Sequence, residues 1–568
     1  MPVVYRIPWI RLYFVAAALL FTGLMAVGIW RHHSAVPHWD MWEAYLGFYT
    51  RSGDWHAWWE QHNEHRLIVP RLIFWSDLHF FHGSMTLLFV LNTVFPFLIV
   101  ACWVFLLHRL QSQRLPPGSA CTVLVALLVV LATSWVQSEN FTWAFQSQFF
   151  LAYLTPLLAF TLLAHARAAN CRRSFWLAWL TGLLSAGTMA NGTLALPLLL
   201  VQALLLRLRR RDVGVLLLTA ALVLGLYFHH YHSYHPIVGS SIIGRWLDLA
   251  RYVLLFLGGP WYFMLQQAAF WPAMVMGAAW IALALVMTVG VLRQRSPQPY
   301  AVALLMLLAY IGAAALGAAR DRIFMGVEQA LSSRYLTSQL MAWAALLLLA
   351  VYLWPRAVLS RWALGAYAAI PLLLLPAQLQ GVRVPPDYRI QLRLPTLAIQ
   401  LGVRDLDTDL FKRMTYTGEN TFILAAQAKR EHLAVFGEPD MQLALRHWSG
   451  QTVAAPMPQA RCEGALQAIE SIPGVADAVR VRGWLFDPAR RQAPSLVLLS
   501  GAQQGRGAAL GRLRQPDTVQ SIDRPRRYSG FSGYLQASAL AENPAGPVTL
   551  TGWIDQQPAC ALTLNPRP

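Results

Sequence analysis

The sequence predicts an all-α polytopic membrane bundle of about eleven transmembrane helices, followed by a C-terminal domain that contains a small β-sandwich. Of its 568 residues, 56% are hydrophobic and only 13% are charged, a balance that ordinary soluble proteins do not have. The apolar residues also form blocks of about eighteen or more with few charges. A helix of that length crosses about 30 Å of hydrocarbon, so each block predicts a span.

The first apolar block, residues 7–30, predicts a span that is not cleaved. Arg6 and Arg11 give it the positive start of a signal peptide, but the apolar run is too long and no small-residue cleavage pattern precedes Arg31. Ten further spans are predicted along the chain. They are residues 84–107, 120–135, 149–166, 175–190, 193–206, 213–228, 272–292, 300–318, 337–354 and 362–375.

Loop arginines predict the orientation of these spans, because arginines near span ends stay on the cytoplasmic side. The arginines cluster near span ends, and these clusters fall on alternate loops if residues 253–267 form an interfacial or re-entrant helix. That segment contains Gly258-Gly259-Pro260. The N-terminus is then cytoplasmic and everything after about residue 379 is periplasmic, in a bacterial inner (plasma) membrane. The clusters are Arg109 with Arg114, Arg167 with Arg172 and Arg173, Arg207 with Arg209 to Arg211, Arg293 with Arg295, and Arg356 with Arg361.

The net charge of +18 does not indicate a nucleic-acid partner. Much of this charge lies in the cytoplasmic clusters, where the topology rule and anionic lipid headgroups already explain it. No nucleic-acid motif accompanies it, so we expect membrane lipid and no nucleic acid among the partners.

Three domains are expected. Residues 1–380 form the membrane module, with residues 31–82 as a long external loop, and residues 381–455 form a mixed, partly helical linker subdomain. Residues 456–568 contain short β-prone runs separated by glycine and proline, and they predict the β-sandwich. These runs are residues 479–486, 495–500 and 547–554.

Cys462 and Cys560 frame the last domain. An oxidising periplasm would allow them to form a disulfide, and two buried free thiols are the alternative. The other three cysteines lie in predicted spans or in a cytoplasmic loop, where reduced thiols are expected.

The first external loop carries the richest set of polar residues next to the membrane. Asp40 follows the first span directly, and Glu64, His65 and Arg66 place an acid, an imidazole and a guanidinium side by side. Tryptophans in the same loop are expected of any interfacial helix, but carboxylates at that depth are costly and usually functional. No HExxH motif occurs, so we predict no metal site, although a divalent cation stays open as a cofactor.

Two later external loops add candidate binding residues. Polar groups that bracket aromatic rings suit a hydroxyl-rich ligand, although helix caps or interhelical hydrogen bonds are the alternative. Arginines on an external loop oppose the positive-inside tendency and suit a phosphate, unless they pair with Asp321 or Glu328 or are solvated. The candidates are Gln137, Glu139, Asn140, Trp143 and Gln146 in the first of these loops, and Arg320, Arg322, Arg334 and Tyr335 in the second.

Together these features resemble the GT-C class of membrane glycosyltransferases over about the first 380 residues. The resemblance includes Asp40 at the exit of the first span and three segments, residues 139–146, 190–192 and 332–335, that are similar to patches in bacterial membrane proteins of this sort. It implies that a sugar is taken from a polyprenyl-phosphate carrier with inversion at its anomeric carbon. The acceptor would be a cell-envelope glycan, a lipid or a surface protein such as a pilin.

The resemblance also implies roles for the candidate residues. Asp40 matches the first-loop acid and would be the general base. Glu64 or Glu139 would orient the acceptor or the sugar, and the external arginines would stabilise the leaving lipid phosphate. The adjacent Asp-Glu pair of some GT-C families is missing here, which leaves open which acid is the base.

Three other functions stay open from the sequence. A flippase or transporter for a lipid-linked glycan predicts charged or broken helices at mid-membrane and an internal repeat, and neither stands out. An O-antigen-type polymerase or ligase would also use a lipid-phosphate donor and external arginines, but it does not require Asp40. A noncatalytic surface-binding protein explains the first loop poorly.

Overall fold

The computed structural model describes residues 8–111, 119–232, 242–451, 458, 460–501, 505–515, 526–539 and 547–564. The chain divides into two compact units. The helical unit comprises Met1–Arg31, Asp54–Ile73 and Leu88–Arg383, and the mixed unit comprises His32–Gly53, Phe74–Leu87 and Val384–Pro568.

The described residues are mostly helical, as the sequence predicts. A π-helical turn, Trp42–Gly47, and several short 3₁₀ turns separate some of the α-helices. In chain order these are α1 (Pro8–His32), α2 (Trp55–Trp59), α3 (Ile68–Phe81), α4 (Thr86–Gln111), α5 (Ser119–Ala132), α6 (Ser138–Thr142), α7 (Ser147–Ala168), α8 (Arg172–Ala186), α9 (Ala195–Leu205), α10 (Arg210–Phe228), α11 (Ile242–Met264), α12 (Trp271–Leu292), α13 (Pro299–Arg322), α14 (Leu336–Leu353), α15 (Pro355–Val358), α16 (Arg361–Gln380), α17 (Tyr388–Leu401), α18 (Asp409–Met414), α19 (Asn420–Arg430) and α20 (Pro439–Trp448).

Nine helical segments in the described part of the chain are long and apolar enough to cross a membrane, which is compatible with a multi-pass membrane protein. Each overlaps a span predicted from the sequence. They are Trp9–His32, Thr86–Leu110, Ala120–Thr142, Ala144–Ala168, Arg210–Phe228, Trp271–Leu292, Pro299–Met325, Ser333–Leu353 and Arg361–Gln380.

The two remaining predicted spans, residues 175–190 and 193–206, fall on α8 and α9. These helices have only 15 and 11 residues, and 15 residues of helix extend only about 22 Å. The chain turns tightly between them, since a Cβ on Gly192 would lie 1.8 Å from the backbone oxygen of Ser185. The structure therefore supports a multi-spanning helical bundle and does not establish the count of eleven.

Helix α11 continues through Gly258-Gly259-Pro260, the segment expected to be interfacial or re-entrant. Its glycines allow close helix packing, because a Cβ on Gly258 would lie 1.8 Å from the backbone oxygen of Ala273 in α12. A Cβ on Gly259 would lie 2.0 Å from the side-chain oxygen of Gln339 in α14. Small residues commonly permit such contacts in membrane bundles. The path of this segment relative to a membrane stays a prediction.

Two pieces of the predicted external loop belong to the mixed unit. The backbone N–H of Trp39 donates to the carbonyl of Met414 (2.8 Å), and that of Ala434 donates to the carbonyl of His82 (2.8 Å). These bonds join the loop to the α17–α20 region, which lies in the same compact unit as the C-terminal strands. The unit boundary between Arg383 and Val384 is close to the predicted boundary after residue 380.

The C-terminal strands form one seven-stranded antiparallel sheet that curls into a half-barrel, in place of the predicted two-sheet sandwich. The strand order is β1-β2-β5-β4-β3-β6-β7. Register shifts in the β1–β2, β4–β5 and β6–β7 pairs bend the sheet, so that a single layer surrounds an apolar core that includes Leu485 and Phe531. The strands are β1 (Glu463–Ile472), β2 (Val475–Phe486), β3 (Leu496–Ser500), β4 (Arg506–Leu513), β5 (Gly530–Gln536), β6 (Val548–Ile554) and β7 (Gln557–Leu564).

Cys462 and Cys560 form a disulfide in this core, with their Cα atoms 5.1 Å apart. The bond ties the residue before β1 to β7, at the two ends of the strand order. The backbone N–H of Cys462 also donates to the carbonyl of Ala561 (2.9 Å). The disulfide therefore fastens the open side of the half-barrel.

We expect that replacing both Cys462 and Cys560 by alanine lowers the free energy of unfolding of the half-barrel by about 2–4 kcal/mol, because the long closed loop no longer restricts the unfolded chain. Hydrogen exchange of the β1 and β7 amides in the full-length protein measures this change. Cys171→Ala, at a free cysteine of the helical unit, is the control and should leave that exchange unchanged. Equal exchange in the double variant and the wild type would contradict the prediction.

Candidate functional site

The first candidate site lies in the helical unit, where buried Glu64 and partly buried Arg322 form an ion pair. Nη2 of Arg322 at the end of α13 lies 2.5 Å from Oε2 of Glu64, and the two side chains are 22% and 5% exposed. Burying a carboxylate is costly unless a partner compensates its charge. The pair therefore fixes the position of Arg322, and Glu64 is an acceptor for a guanidinium.

A tight loop presents Glu64 to Arg322. The backbones of His62 and His65 exchange two hydrogen bonds, of 2.8 and 2.9 Å, around Asn63, whose φ of +49° is in the left-handed region. Asparagine tolerates that conformation better than most residues. The loop is closed on itself and holds the Glu64 and His65 side chains in fixed directions.

His65 is a half-buried, neutral imidazole in this cluster. Burial, assisted by the positive charges of Arg322 and Arg334, lowers the pKa of His65 to about 3. Its Nδ1 accepts a hydrogen bond from the backbone N–H of Ala190 (3.2 Å), which places the proton on Nε2. His65 is therefore a hydrogen-bond donor near two guanidinium groups and not a cation at neutral pH.

Arg66 is engaged by the protein backbone. Its guanidinium donates to the carbonyls of Trp59 (2.8 Å), Tyr227 (2.9 Å) and His229 (2.9 Å). The same group lies over the rings of Trp59 and Tyr227, with centroid distances of 5.1 and 5.7 Å. This geometry favours a structural role in holding the loop over the predicted ligand-binding role.

The second external loop is bonded to the segment before α14. Glu139 accepts a hydrogen bond from the Ser332 hydroxyl (3.2 Å), and its backbone N–H donates to the Ser333 hydroxyl (3.1 Å). The Asn140 amide donates to the Arg334 carbonyl (2.8 Å) and to the Thr337 hydroxyl (2.7 Å). Two of the segments singled out in the sequence, about 195 residues apart in the chain, are thus held side by side.

Gln137, Trp143 and Gln146 mostly complete the packing around this contact. The Gln137 amide donates to the carbonyl of Ala132 (2.8 Å) at the end of α5, and its oxygen accepts from Thr337. Gln146 is fully buried, and neither its amide nitrogen nor its amide oxygen has a hydrogen-bond partner among the described residues. Because buried amides are nearly always satisfied, Gln146 has hydrogen-bonding capacity left over.

The three predicted phosphate-binding arginines have different surroundings. Arg320 is exposed near the end of α13 and Arg322 is held by Glu64. The guanidinium of Arg334 lies 5.5 Å from the ring centroid of Tyr335. Tyr335 is buried, with its ring 6.0 and 5.4 Å from the rings of Phe149 and Phe256. The arrangement concentrates positive charge beside His65 in a largely apolar unit.

Asp40 lies in the mixed unit, where its neighbours are Glu43, Tyr416 and Trp39. The Tyr416 hydroxyl lies 3.3 Å from Oδ1 of Asp40 and 3.3 Å from Oε2 of Glu43. Partial burial and these two carboxylates raise the pKa of Tyr416, so the phenol keeps its proton. With a single proton it can donate to one carboxylate at a time, and the other carboxylate remains an acceptor for another hydroxyl.

An exposed aromatic surface accompanies the two carboxylates. The rings of Trp39 and Tyr416 meet edge to face at 6.2 Å, and these residues are 42% and 52% exposed. The Trp39 indole donates to the Arg413 carbonyl (2.8 Å), which fixes its orientation. Aromatic faces beside carboxylates can bind a hydroxyl-rich ligand. Tyr416 and Glu43 were not predicted from the sequence, and nothing in the residues around Tyr416 indicates a partner 376 positions away.

The chemistry of both sites depends on carboxylates, hydroxyls and guanidinium groups. Among the described residues there is no group of three or more His, Cys, Asp or Glu side chains that could hold a metal ion. Comparisons of the chain with protein-family models, with curated proteins and with solved structures found no match.

Proposed function

We propose that this protein is a GT-C-type membrane glycosyltransferase that moves a sugar from a polyprenyl-phosphate carrier to a hydroxyl of a cell-envelope acceptor. The observation that carries the proposal is the Glu64–Arg322 pair with Arg334 and neutral His65 beside it. Charged groups are costly in a membrane-spanning unit and usually mark a functional site. Guanidinium groups suit the phosphate of such a donor.

The proposed reaction is a single displacement. A carboxylate removes the proton of the acceptor hydroxyl while the hydroxyl oxygen forms a bond to C1 of the sugar, and Asp40 is the base that the resemblance to GT-C enzymes implies. The bond from C1 to the phosphate oxygen breaks, the electron pair leaves with polyprenyl phosphate, and the configuration at C1 is inverted. Arg320, Arg322 and Arg334 are the proposed groups that stabilise the negative charge of the leaving phosphate.

The same proposal assigns sides of the membrane. The N-terminus is cytoplasmic in a bacterial inner membrane, and the mixed unit is periplasmic. Counting the short helices α8 and α9 as spans would give the eleven predicted from the sequence. Glu139, held by Ser332 and Ser333, and the unsatisfied amide of Gln146 are the proposed contacts for sugar hydroxyls.

Glycosyl transfer by the purified full-length protein tests the proposal. Radiolabelled polyprenyl-phosphate hexoses and pentoses are the donors, and the acceptor source is an envelope extract from cells that lack the protein. We expect transfer from at least one donor. Saturable donor binding without transfer from any of them would instead favour a transporter or a ligase.

We further expect that Arg334→Gln raises the donor KM by about 10-fold or more, since one charge-assisted hydrogen bond to a phosphate contributes about 1.5–3 kcal/mol. Arg251→Gln is the control, because Arg251 is an exposed arginine of the same unit that pairs with exposed Asp248. A donor KM that changes equally in both variants would contradict the role of Arg334.

A further inference from the structure

The mixed unit contains a cavity that none of the predicted site residues lines. Its volume is about 440 Å³, within the range of pockets that hold small ligands. Residues from four segments of the unit line it: the chain after α1, the end of α3 with the residues that follow, α17, and the loop before α20. The polar side chains among them are His33, His82, Arg389, Arg393, His432 and Glu438.

The loops around this cavity are held together by their backbones. The N–H of Ala434 donates to the carbonyl of His82 (2.8 Å), and the N–H of Val435 donates to the carbonyl of Ala35 (3.2 Å). His82, His432 and Ala434 have φ values of +52°, +54° and +54°. Side chains other than glycine adopt such values at a cost, and residues of this kind cluster at ligand-binding sites.

Close backbone contact explains the glycine at position 83, beside His82. Gly83 has a φ of +71°, and a Cβ at this position would lie 2.9 Å from the backbone nitrogen of Ala434. A side chain at position 83 would therefore separate the two loops that carry His82 and His432. The cavity is built with its walls already in position, which lowers the entropy cost of binding.

The charge of the cavity is concentrated on one face of α17. Arg389 and Arg393 are four residues apart on this helix, so their side chains lie on the same face. Nη2 of Arg393 lies 2.6 Å from Oε2 of Glu438 and 4.0 Å from Oδ2 of Asp440. Burial raises the pKa of Glu438, an effect that Arg393 opposes.

Glu438 therefore orients Arg393 while leaving its other N–H groups available. The Nε of Arg393 is buried and has no hydrogen-bond partner among the described residues. Burial and the positive charge of Arg389 lower the pKa of His33, so this imidazole is neutral and can donate a hydrogen bond without adding a charge. Two guanidinium groups with neighbouring imidazoles are a set of donors that matches the oxygens of a phosphate.

We propose that this cavity binds the phosphate of a phosphate ester, with Arg389 and Arg393 on the phosphate oxygens and the rest of the volume occupied by the group that the phosphate carries. The source of the phosphate is either a soluble phosphate ester or a lipid headgroup. The proposal concerns binding alone, and it stands independently of glycosyl transfer.

Calorimetric titration of the full-length protein in a phosphate-free maltoside detergent tests this site. The probes are inorganic phosphate, glycerol 3-phosphate, and phosphatidic acid added as mixed micelles. We expect saturable binding of at least one probe, weakened about 10-fold or more by Arg389→Gln and by Arg393→Gln. Binding of glycerol 3-phosphate identifies a soluble ester as the source, and binding of phosphatidic acid alone identifies a lipid.

Arg404→Gln is the matched control, because it removes an equivalent positive charge from the same unit at an exposed arginine that pairs with Glu419. It should leave every titration unchanged. The proposal is overturned if no probe binds saturably, or if Arg389→Gln weakens binding no more than Arg404→Gln does. Arg389→Gln leaves the Arg393–Glu438 pair in place. It therefore tests phosphate binding in this cavity even if Arg393→Gln fails to fold.

Discussion

Replacing Asp40 by asparagine is expected to lower the rate of glycosyl transfer by about 10²- to 10⁴-fold, the usual contribution of a positioned general base. Asparagine has nearly the same shape as aspartate but cannot accept the proton of an acceptor hydroxyl. Its side-chain oxygen can still accept a hydrogen bond from Tyr416, which lies 3.3 Å from Asp40 in the wild type. The loss should therefore appear in kcat, with the KM for the donor little changed.

The control for this prediction is Asp407→Asn. Asp407 is an exposed carboxylate of the same unit that pairs with exposed Lys412, so the substitution removes an equal charge outside the proposed site. Asp40 is supported as the base if Asp407→Asn keeps full activity while Asp40→Asn still binds the donor but transfers no sugar. Full activity of both variants would exclude Asp40 from that role.

Glu43→Gln distinguishes the two carboxylates that share the Tyr416 hydroxyl. If Asp40 is the base, Glu43→Gln leaves a tyrosine that donates to Asp40 more often, and activity should fall much less than in Asp40→Asn. The opposite ranking of the two variants would identify Glu43 as the base. An equal loss of activity in Asp40→Asn and Glu43→Gln would indicate that the two carboxylates act as one unit.

The sequence identified the charged residues of the helical unit but not their partners. Glu64 and Arg322 were both singled out as costly charges near the membrane surface, yet they are 258 positions apart. Hydropathy and charge predict that such groups need compensation, whereas the choice of partner depends on how the helices pack. The alternative partners that the sequence offers, Asp321 and Glu328, are both near Arg322 in the chain.

Residue type alone also does not show how a side chain is bonded in the fold. Arg66 donates to three backbone carbonyls, and Gln137 completes the end of a helix, although both residue types often bind ligands. The sequence does not indicate that His33, which follows the first span, lies near Arg389 and Arg393 of the predicted linker subdomain. Only the backbone contacts between these segments bring them to one cavity.

Local pattern predicted three strands closely and missed the rest. The runs at residues 479–486, 495–500 and 547–554 correspond to β2, β3 and β6, which are rich in apolar residues. Strands such as β4 and β5 contain several glycines and small residues, whose strand preference is weak. The half-barrel could not be distinguished from a sandwich, because both alternate buried and exposed residues and only the pairing order differs.

A second large effect is expected at Asp405, whose replacement by alanine should destabilise the mixed unit by about 3–5 kcal/mol. The carboxylate is fully buried. It accepts hydrogen bonds from Nε and Nη2 of Arg480 (2.6 and 2.5 Å) and from the Tyr534 hydroxyl (2.9 Å). Alanine would leave a partly buried guanidinium and a buried phenol without their acceptor.

Glu470→Ala is the matched control. Glu470 on β1 pairs with Arg482, which lies on β2 as Arg480 does, and both side chains of this pair are exposed. Exposed pairs contribute about 0–1 kcal/mol, so this variant should be close to the wild type. Hydrogen exchange of the β2 and β5 amides, followed with increasing urea in the full-length protein, measures both variants on one scale. Equal protection in Asp405→Ala and Glu470→Ala would contradict the prediction.

The positions of the amides that exchange faster in Asp405→Ala would also show how the mixed unit unfolds. Asp405 follows α17, whereas Arg480 and Tyr534 belong to β2 and β5, so the cluster joins the helical part of this unit to its sheet. If the two parts unfold together, Asp405→Ala should speed exchange in α17 and β2 by the same factor. Faster exchange confined to α17 would mean that the half-barrel, fastened by its own disulfide, is stable without the helices. In that case the phosphate cavity on α17 could open while the sheet stays folded.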